Sequence, residues 1–314
     1  MHAIETEGLT KDYQVGFWRP RPYRALHDLS LTVARGDVFG FLGPNGAGKS
    51  TAIKLLMQLI YPTSGTARIL GRPVGDVEMR RRIGFLPENP SFYDYLTAEE
   101  LLTYFAGLFD IPVAERAGRV GRVLDEVGLG AERRMRLRSY SKGMVQRVGI
   151  AQAILNDPEI VFFDEPMSGL DPLGRREVRQ LMLQLRARGC TVFFSSHILS
   201  DAETLCNRVA IIAQGRLAAE GRVSDIVGVD VLGWELVVDA TAAVIDRVRG
   251  RVRAVTPMHD DRYALDLAPE APEATIQQLA ADGVRVVSLN PVRRTLEDFF
   301  VQHVAATATR EAAV

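Results

Sequence analysis

Cysteine is nearly absent. Cys190 and Cys206 are the two in 314 residues. Both sit in apolar runs without metal-ligand spacing, so the chain carries no disulfide framework and a reduced, intracellular protein is expected. An excess of either charge is also lacking: 38 Lys and Arg face 39 Asp and Glu, a formal net charge of −1. Nothing global therefore points to nucleic acid. No uninterrupted apolar run approaches about 18 residues, so no segment is expected to span a bilayer. The first ten residues include Glu5 and Glu7 and no apolar core, so no secretory signal is expected there. Hydrophobic residues, by contrast, make up 47% of the chain. That is enough for a large domain with a small one beside it, or for two domains.

The strongest local signal covers residues 43–51: Gly43, Pro44, Asn45, Gly46, Ala47, Gly48, Lys49, Ser50 and Thr51. Gly, four residues, then Gly-Lys-Ser is the pattern of a phosphate-binding loop. The glycines let successive N–H groups turn toward an anion. Lys49 offers a point charge to the β- and γ-phosphates, the Ser50 hydroxyl can ligate magnesium, and Thr51 can reach a neighbouring phosphate. An apolar run at 38–42 precedes the loop as a strand. Ile53, Leu55, Leu56 and Leu59 follow at helical spacing over 49–60, so a helix N-terminus points at the phosphates.

Residues 3–9 alternate as an edge strand would. Residues 14–24, with Pro20, Pro22 and three aromatics, extend a hairpin as a solvated loop, and 25–33 return as a strand. Strands follow at 66–70 and 83–86. Between 89 and 157 strand signals vanish and helices begin at Thr97, 113 and Ser141, marking a helical insertion. Alternation then resumes: strands at 160–163, 190–195 and 208–213, helices at 175–187 and 198–206. Such alternation implies a mostly parallel, covered sheet. The expected division is a domain at 1–225, a small α+β domain at 226–304 and a flexible tail at 305–314. In the small domain, strand 233–238, helix 242–249, strands 251–256 and 262–267, helix 273–282 and strand 284–289 give a ferredoxin-like order. A last helix is expected at 295–304, and no catalytic constellation is visible in this part.

Chemistry gathers at strand ends. The 160–163 run ends in Asp164 and Glu165. Asp164 suits a magnesium contact, and Glu165 can orient or deprotonate an attacking water. His197, after the apolar 192–194, can bond a γ-phosphate, and Glu88 can reach magnesium directly or through water. Ser141 and Gly143 open a helix as an anion site does.

In this order the segments resemble the ATP-binding-cassette ATPases, over roughly residues 3–225. Tyr13 falls where the adenine-stacking aromatic belongs, with Phe17 the alternative. Residues 43–51 match Walker A and Glu88 the Q-loop. Ser141, Lys142, Gly143, Met144 and Gln146 match the signature, and Asp164 and Glu165 match Walker B with its catalytic glutamate. Ser168, Gly169, Leu170 and Asp171 match the D-loop, and His197 the switch histidine. Two positions depart from the family pattern. Lys142 and Met144 stand where the signature usually has glycine and glutamine, and Glu88 replaces the Q-loop glutamine. Both departures, and the ending Leu296-Glu297-Asp298-Phe299-Phe300, resemble a bacterial branch of drug, antibiotic and lipid exporters with a C-terminal appendage.

The resemblance implies a P-loop NTPase fold with N-terminal antiparallel strands, hydrolysis of ATP with Mg2+, and head-to-tail pairing with a second cassette, identical or related. In such a pair Ser141 and Gly143 reach the partner's nucleotide. It also implies integral membrane permease subunits on the inner face of the cell membrane, docked by a coupling helix between the helical insertion and the Glu88 loop, and it leans toward export. The alternative is a soluble cassette ATPase acting on nucleic acid or ribosomes. Those usually carry two cassettes or long insertions, which this chain lacks, and no nucleic-acid partner is expected.

Overall fold

The computed structural model describes residues 2–16, 18–228, 230–270 and 272–302. Phe17, the last two residues of the helix expected at 295–304 and the expected tail 305–314 lie outside the described residues. The chain divides into two compact units, Met1–Val223 and Ser224–Val314.

In the first unit, five parallel strands run in the order Arg208–Ala213, Val38–Leu42, Thr191–Ser196, Ile160–Phe163 and Ile83–Leu86. Arg216–Arg222 adds an antiparallel edge. Val38–Leu42, Ile160–Phe163 and Thr191–Ser196 are buried at every residue, as strands covered on both faces must be. Phe193 sits among them, with the Phe39, Phe41 and Phe162 ring centroids 5.7, 5.5 and 5.5 Å away. Because these strands are parallel, their C-terminal ends share one sheet edge. Gly43, Asp164 and His197 directly follow three of them and Glu88 lies two residues past a fourth, so four separate motifs meet there.

The second sheet is antiparallel, in the order Arg21–Ala34, His2–Val15, Ser64–Ile69, Arg72–Pro73. His2–Val15 is paired on both sides and is not the expected edge strand. Bulges between Thr6 and Leu9 and onward break its alternation, which is why its hydrophobic pattern reads weakly. The hairpin extension continues its ladder as far as Val15 and Arg21. The phosphate-loop helix is Lys49–Leu56, shorter than expected, because Gln58 takes φ 52° and turns the chain away.

The helical insertion holds Ala98–Leu108, Val113–Glu126 and Lys142–Ile154. Thr97 and Glu100 cap the first reciprocally, at 3.1 and 2.8 Å, and these bonds hold the Glu100 carboxyl below its usual range.

The second unit has one antiparallel sheet in the order Ala254–Pro257, Arg262–Leu267, Val231–Asp239, Arg285–Arg293. With helices Ala242–Val248 and Pro272–Ala281 the element order is the expected β-α-β-β-α-β. Leu236, Val238, Ile245, Val248, Leu265 and Leu279 form its own core. Among the described residues no helix is long and apolar enough to cross a membrane.

Candidate functional site

The phosphate loop is shaped by what its glycines avoid. A Cβ at Gly43 would overlap the Ile212 carbonyl oxygen, and one at Gly48, at φ 102°, would lie 2.6 Å from that of Ala25. The loop therefore packs against two neighbouring segments and cannot hold side chains at these positions. Ala47 is buried, and its N–H returns to the Pro44 carbonyl at 3.2 Å, closing the turn. Lys49 is buried. Its Nζ donates to the carbonyls of Gly43 and Pro44 at 2.8 and 3.2 Å and lies 3.1 Å from Glu165 Oε1.

The carboxylates sit opposite. Asp164 and Glu165 are both buried. Asp164 Oδ1 accepts from the Ser50 hydroxyl at 3.2 Å and from the Ser195 hydroxyl at 2.6 Å. Ser195 in turn accepts the Glu165 N–H at 2.8 Å. Glu165 is in the left-handed region, φ 50°, a strained setting for a side-chain-bearing residue that its neighbours must enforce. Its Oε2 is 2.8 Å from His197 Nδ1. One network, buried at Lys49, Asp164, Glu165 and Ser195 and open to solvent at Pro44 and His197, therefore links residues 43, 44, 49, 50, 164, 165, 195 and 197.

A cleft opens over this network. Its lining includes Asn45, Gly46, Gly48, Lys49, Ser50, Thr51, Glu88, Glu165, Tyr13 and Tyr23. Glu88 is exposed at its rim. Tyr13 and Tyr23 face each other across the hairpin, and Lys11 Nζ lies 5.3 Å from the centre of the Tyr13 ring. Cationic loop, hydroxyl, carboxylates and an aromatic end give one cleft the chemistry for polyphosphate at one end and a flat ring at the other. Ser50 and Asp164 are hard oxygen donors of the kind magnesium prefers.

The signature lies elsewhere. Ser141 caps Lys142–Ile154, accepting the Met144 N–H at 3.3 Å. Just before it, burial raises the Tyr140 phenol, whose hydroxyl donates to the Glu132 carbonyl at 2.8 Å. Ser141, Lys142 and Gly143 share a second cleft with Gly169, Leu170 and Asp171. Ser168 begins this loop with a turn bond to Glu165 at 3.0 Å, and Asp171 ends it by capping the next helix on the Gly174 N–H at 2.8 Å. Gln146 turns inward, buried, and its amide donates to the Pro166 carbonyl at 3.1 Å. The two clefts share no lining residue.

Sequence reasoning missed Ser195 and Tyr23. A serine ending an apolar strand and an aromatic in a hairpin arm are faint signals, and each gains its place only through strand register.

Known proteins resemble this chain in sequence and in fold. Residues 26–168 match the family model described as ABC transporter. An uncharacterised ABC transporter ATP-binding protein of Synechocystis sp. is 43% identical over 303 residues, covering 96% of this chain and 84% of that one. The bacitracin transport ATP-binding protein BcrA of Bacillus licheniformis is 42% identical over 220 residues, 69% of each chain. The dimeric post-hydrolysis structure of the ATP-binding cassette MJ0796, bound to ADP and Pi, aligns at TM-score 0.64 and 26% identity, over 70% of this chain and 98% of that one. With a relative aligned along nearly its whole length and a phosphate loop facing two buried carboxylates, the chain belongs to the ATP-binding subunits of the ABC transporters and is a P-loop ATPase.

Proposed function

We propose that this chain powers export of a substrate through separate integral membrane permease subunits, by ATP-driven closure of two cassettes at the cytoplasmic face of the membrane. The observation that carries this reading is the separation of the two clefts. Ser141 and Gly143 line no part of their own chain's phosphate cleft, so they meet a terminal phosphate when a second cassette, identical or related, brings its nucleotide to them. ATP then favours the closed pair and hydrolysis releases it. The transport named in the BcrA relative favours a transport role over action on nucleic acid.

In the closed site Tyr13 and Tyr23 hold the base, and backbone N–H groups of 45–51 cradle the phosphates. Lys49 leaves its carbonyl partners for the β- and γ-phosphates. Glu165 takes the proton of the water that attacks the γ-phosphorus. The new P–O bond forms as the bond to the ADP oxygen breaks, and His197 holds the Glu165 carboxylate toward the water. Ser50 and Asp164, with Glu88 at the rim, would hold Mg2+, which neutralises phosphate charge when bound. The D-loop residues Ser168, Gly169, Leu170 and Asp171 lie beside the signature and pass closure to the opposite cassette.

Glu165→Gln tests the reading. Turnover is expected to fall by roughly 10²-fold or more, the scale of a lost general base, while ATP binding persists. Light scattering should then show an ATP-dependent dimer. Near-normal hydrolysis removes Glu165 from its role. A strictly monomeric variant, with no related cassette able to pair with it, removes the closure mechanism.

A further inference from the structure

The strand Thr191–Ser196 leads to His197, yet its tightest link to the carboxylates is made two residues earlier. Ser195 is fully buried. It donates to Asp164 Oδ1 at 2.6 Å and accepts the Glu165 N–H at 2.8 Å. One hydroxyl thus uses its proton on one acid and a lone pair on the backbone of the next. Both neighbours need that help. Glu165 stands at φ 50°, where an L-residue is strained and its N–H is turned out of the strand ladder. Asp164 Oδ1 also accepts from Ser50, so its position sets how that carboxylate faces the phosphate loop.

We infer that Ser195 is a positioning residue for hydrolysis: it clamps the Glu165 backbone in its strained conformation and fixes the Asp164 oxygen beside it. Together with the His197 contact on Oε2, the strand end grips Glu165 at two points, backbone and carboxylate. Losing the backbone grip lets the peptide relax and turns the base away from the water. Nucleotide binding relies on the phosphate loop, which Ser195 reaches only through Asp164 and its bond from Ser50. This inference deepens the reading of Glu165 as the general base and rests on it.

The adjacent Ser196 supplies the comparison. It is also buried, but its hydroxyl serves the Ile198 N–H at 3.0 Å and reaches neither acid. Ser195→Ala is expected to lower kcat about tenfold, the scale of lost bonds to a charged group and its neighbour, with KM for ATP within about twofold. Ser195→Thr, which keeps the hydroxyl, should recover most of the rate, and Ser196→Ala should stay within about twofold of the parent. In the Glu165→Gln background, Ser195→Ala should bind a fluorescent ATP analogue as the single variant does. Thermal unfolding of each variant confirms that it is folded at the assay temperature. A kcat for Ser195→Ala within twofold of the parent overturns the inference, as does an equal loss in Ser196→Ala or a loss confined to KM. If Glu165→Gln itself hydrolyses ATP normally, the general-base reading fails first, and that result is separate from any of these.

Discussion

At the scale of single residues, Lys142 is where this chain differs most sharply from the signature its family usually carries. Its stem lies along Gly169: a Cβ there would sit 2.9 and 3.4 Å from Lys142 Cε and Cδ and would overlap the ammonium. The acids of the same cleft have other partners. Asp171 caps Gly174, and Glu177 pairs with Arg147 at 3.3 Å. Among the described residues no carboxylate ion-pairs with Lys142. In the proposed closed pair, this exposed cation next to Ser141 and Gly143 would meet the partner's nucleotide and add attraction that salt screens within about 10 Å at 0.1 M. Lys142→Gly in the Glu165→Gln background should therefore weaken ATP-driven pairing about tenfold at low salt and flatten its salt dependence. Sedimentation of the ATP-bound protein across a salt series reads both. An unchanged salt slope rules out a charge contact by Lys142.

Whole elements show how far the sequence could be read. The strands Ile83–Leu86, Ile160–Phe163 and Arg208–Ala213 occur where expected because each is a short apolar run with polar residues close behind it. The strand Arg216–Arg222 was not legible. Its residues alternate poorly, and it exists because Gln214 and Gly215, at φ 50° and 75°, turn the chain back onto Arg208–Ala213. The carboxylates and the phosphate loop were legible because their chemistry fixes residue types in sequence. Ser195 and Tyr23 were not, since their roles depend on which strands lie side by side. Packing between elements was equally hidden. A Cβ at Gly84 would overlap the Ala153 carbonyl oxygen, and one at Gly149 would lie 2.5 Å from Leu86 Cδ1. The signature helix Lys142–Ile154 thus rests directly on the strand that leads to Glu88. Gly84→Ala should force that helix off the strand and cost about 1–3 kcal/mol by overpacking. Chemical denaturation checks the loss, and a midpoint equal to the parent's would mean the two elements are not in such close contact.

Over the whole molecule, nucleotide chemistry and hydrophobic burial are divided unequally. Every residue lining the phosphate cleft falls between 13 and 165 and the signature cleft between 141 and 177, all in the unit Met1–Val223. The unit beginning at Ser224 has its own core, which shares no residue with the core around Phe39, Phe162 and Phe193. Two cores of this kind are expected to unfold as separate cooperative bodies. A ligand raises the stability of the body that binds it by about 2.7 kcal/mol at a hundredfold excess over its dissociation constant. For a unit of this size that corresponds to roughly 5–10 °C. Calorimetry of the full chain should therefore give two transitions, and Mg-ATP added to the Glu165→Gln variant should move the larger one upward and leave the smaller in place. A shift in both would mean that the second unit takes part in nucleotide binding. A single transition that moves as one would mean that the two cores fold as one body.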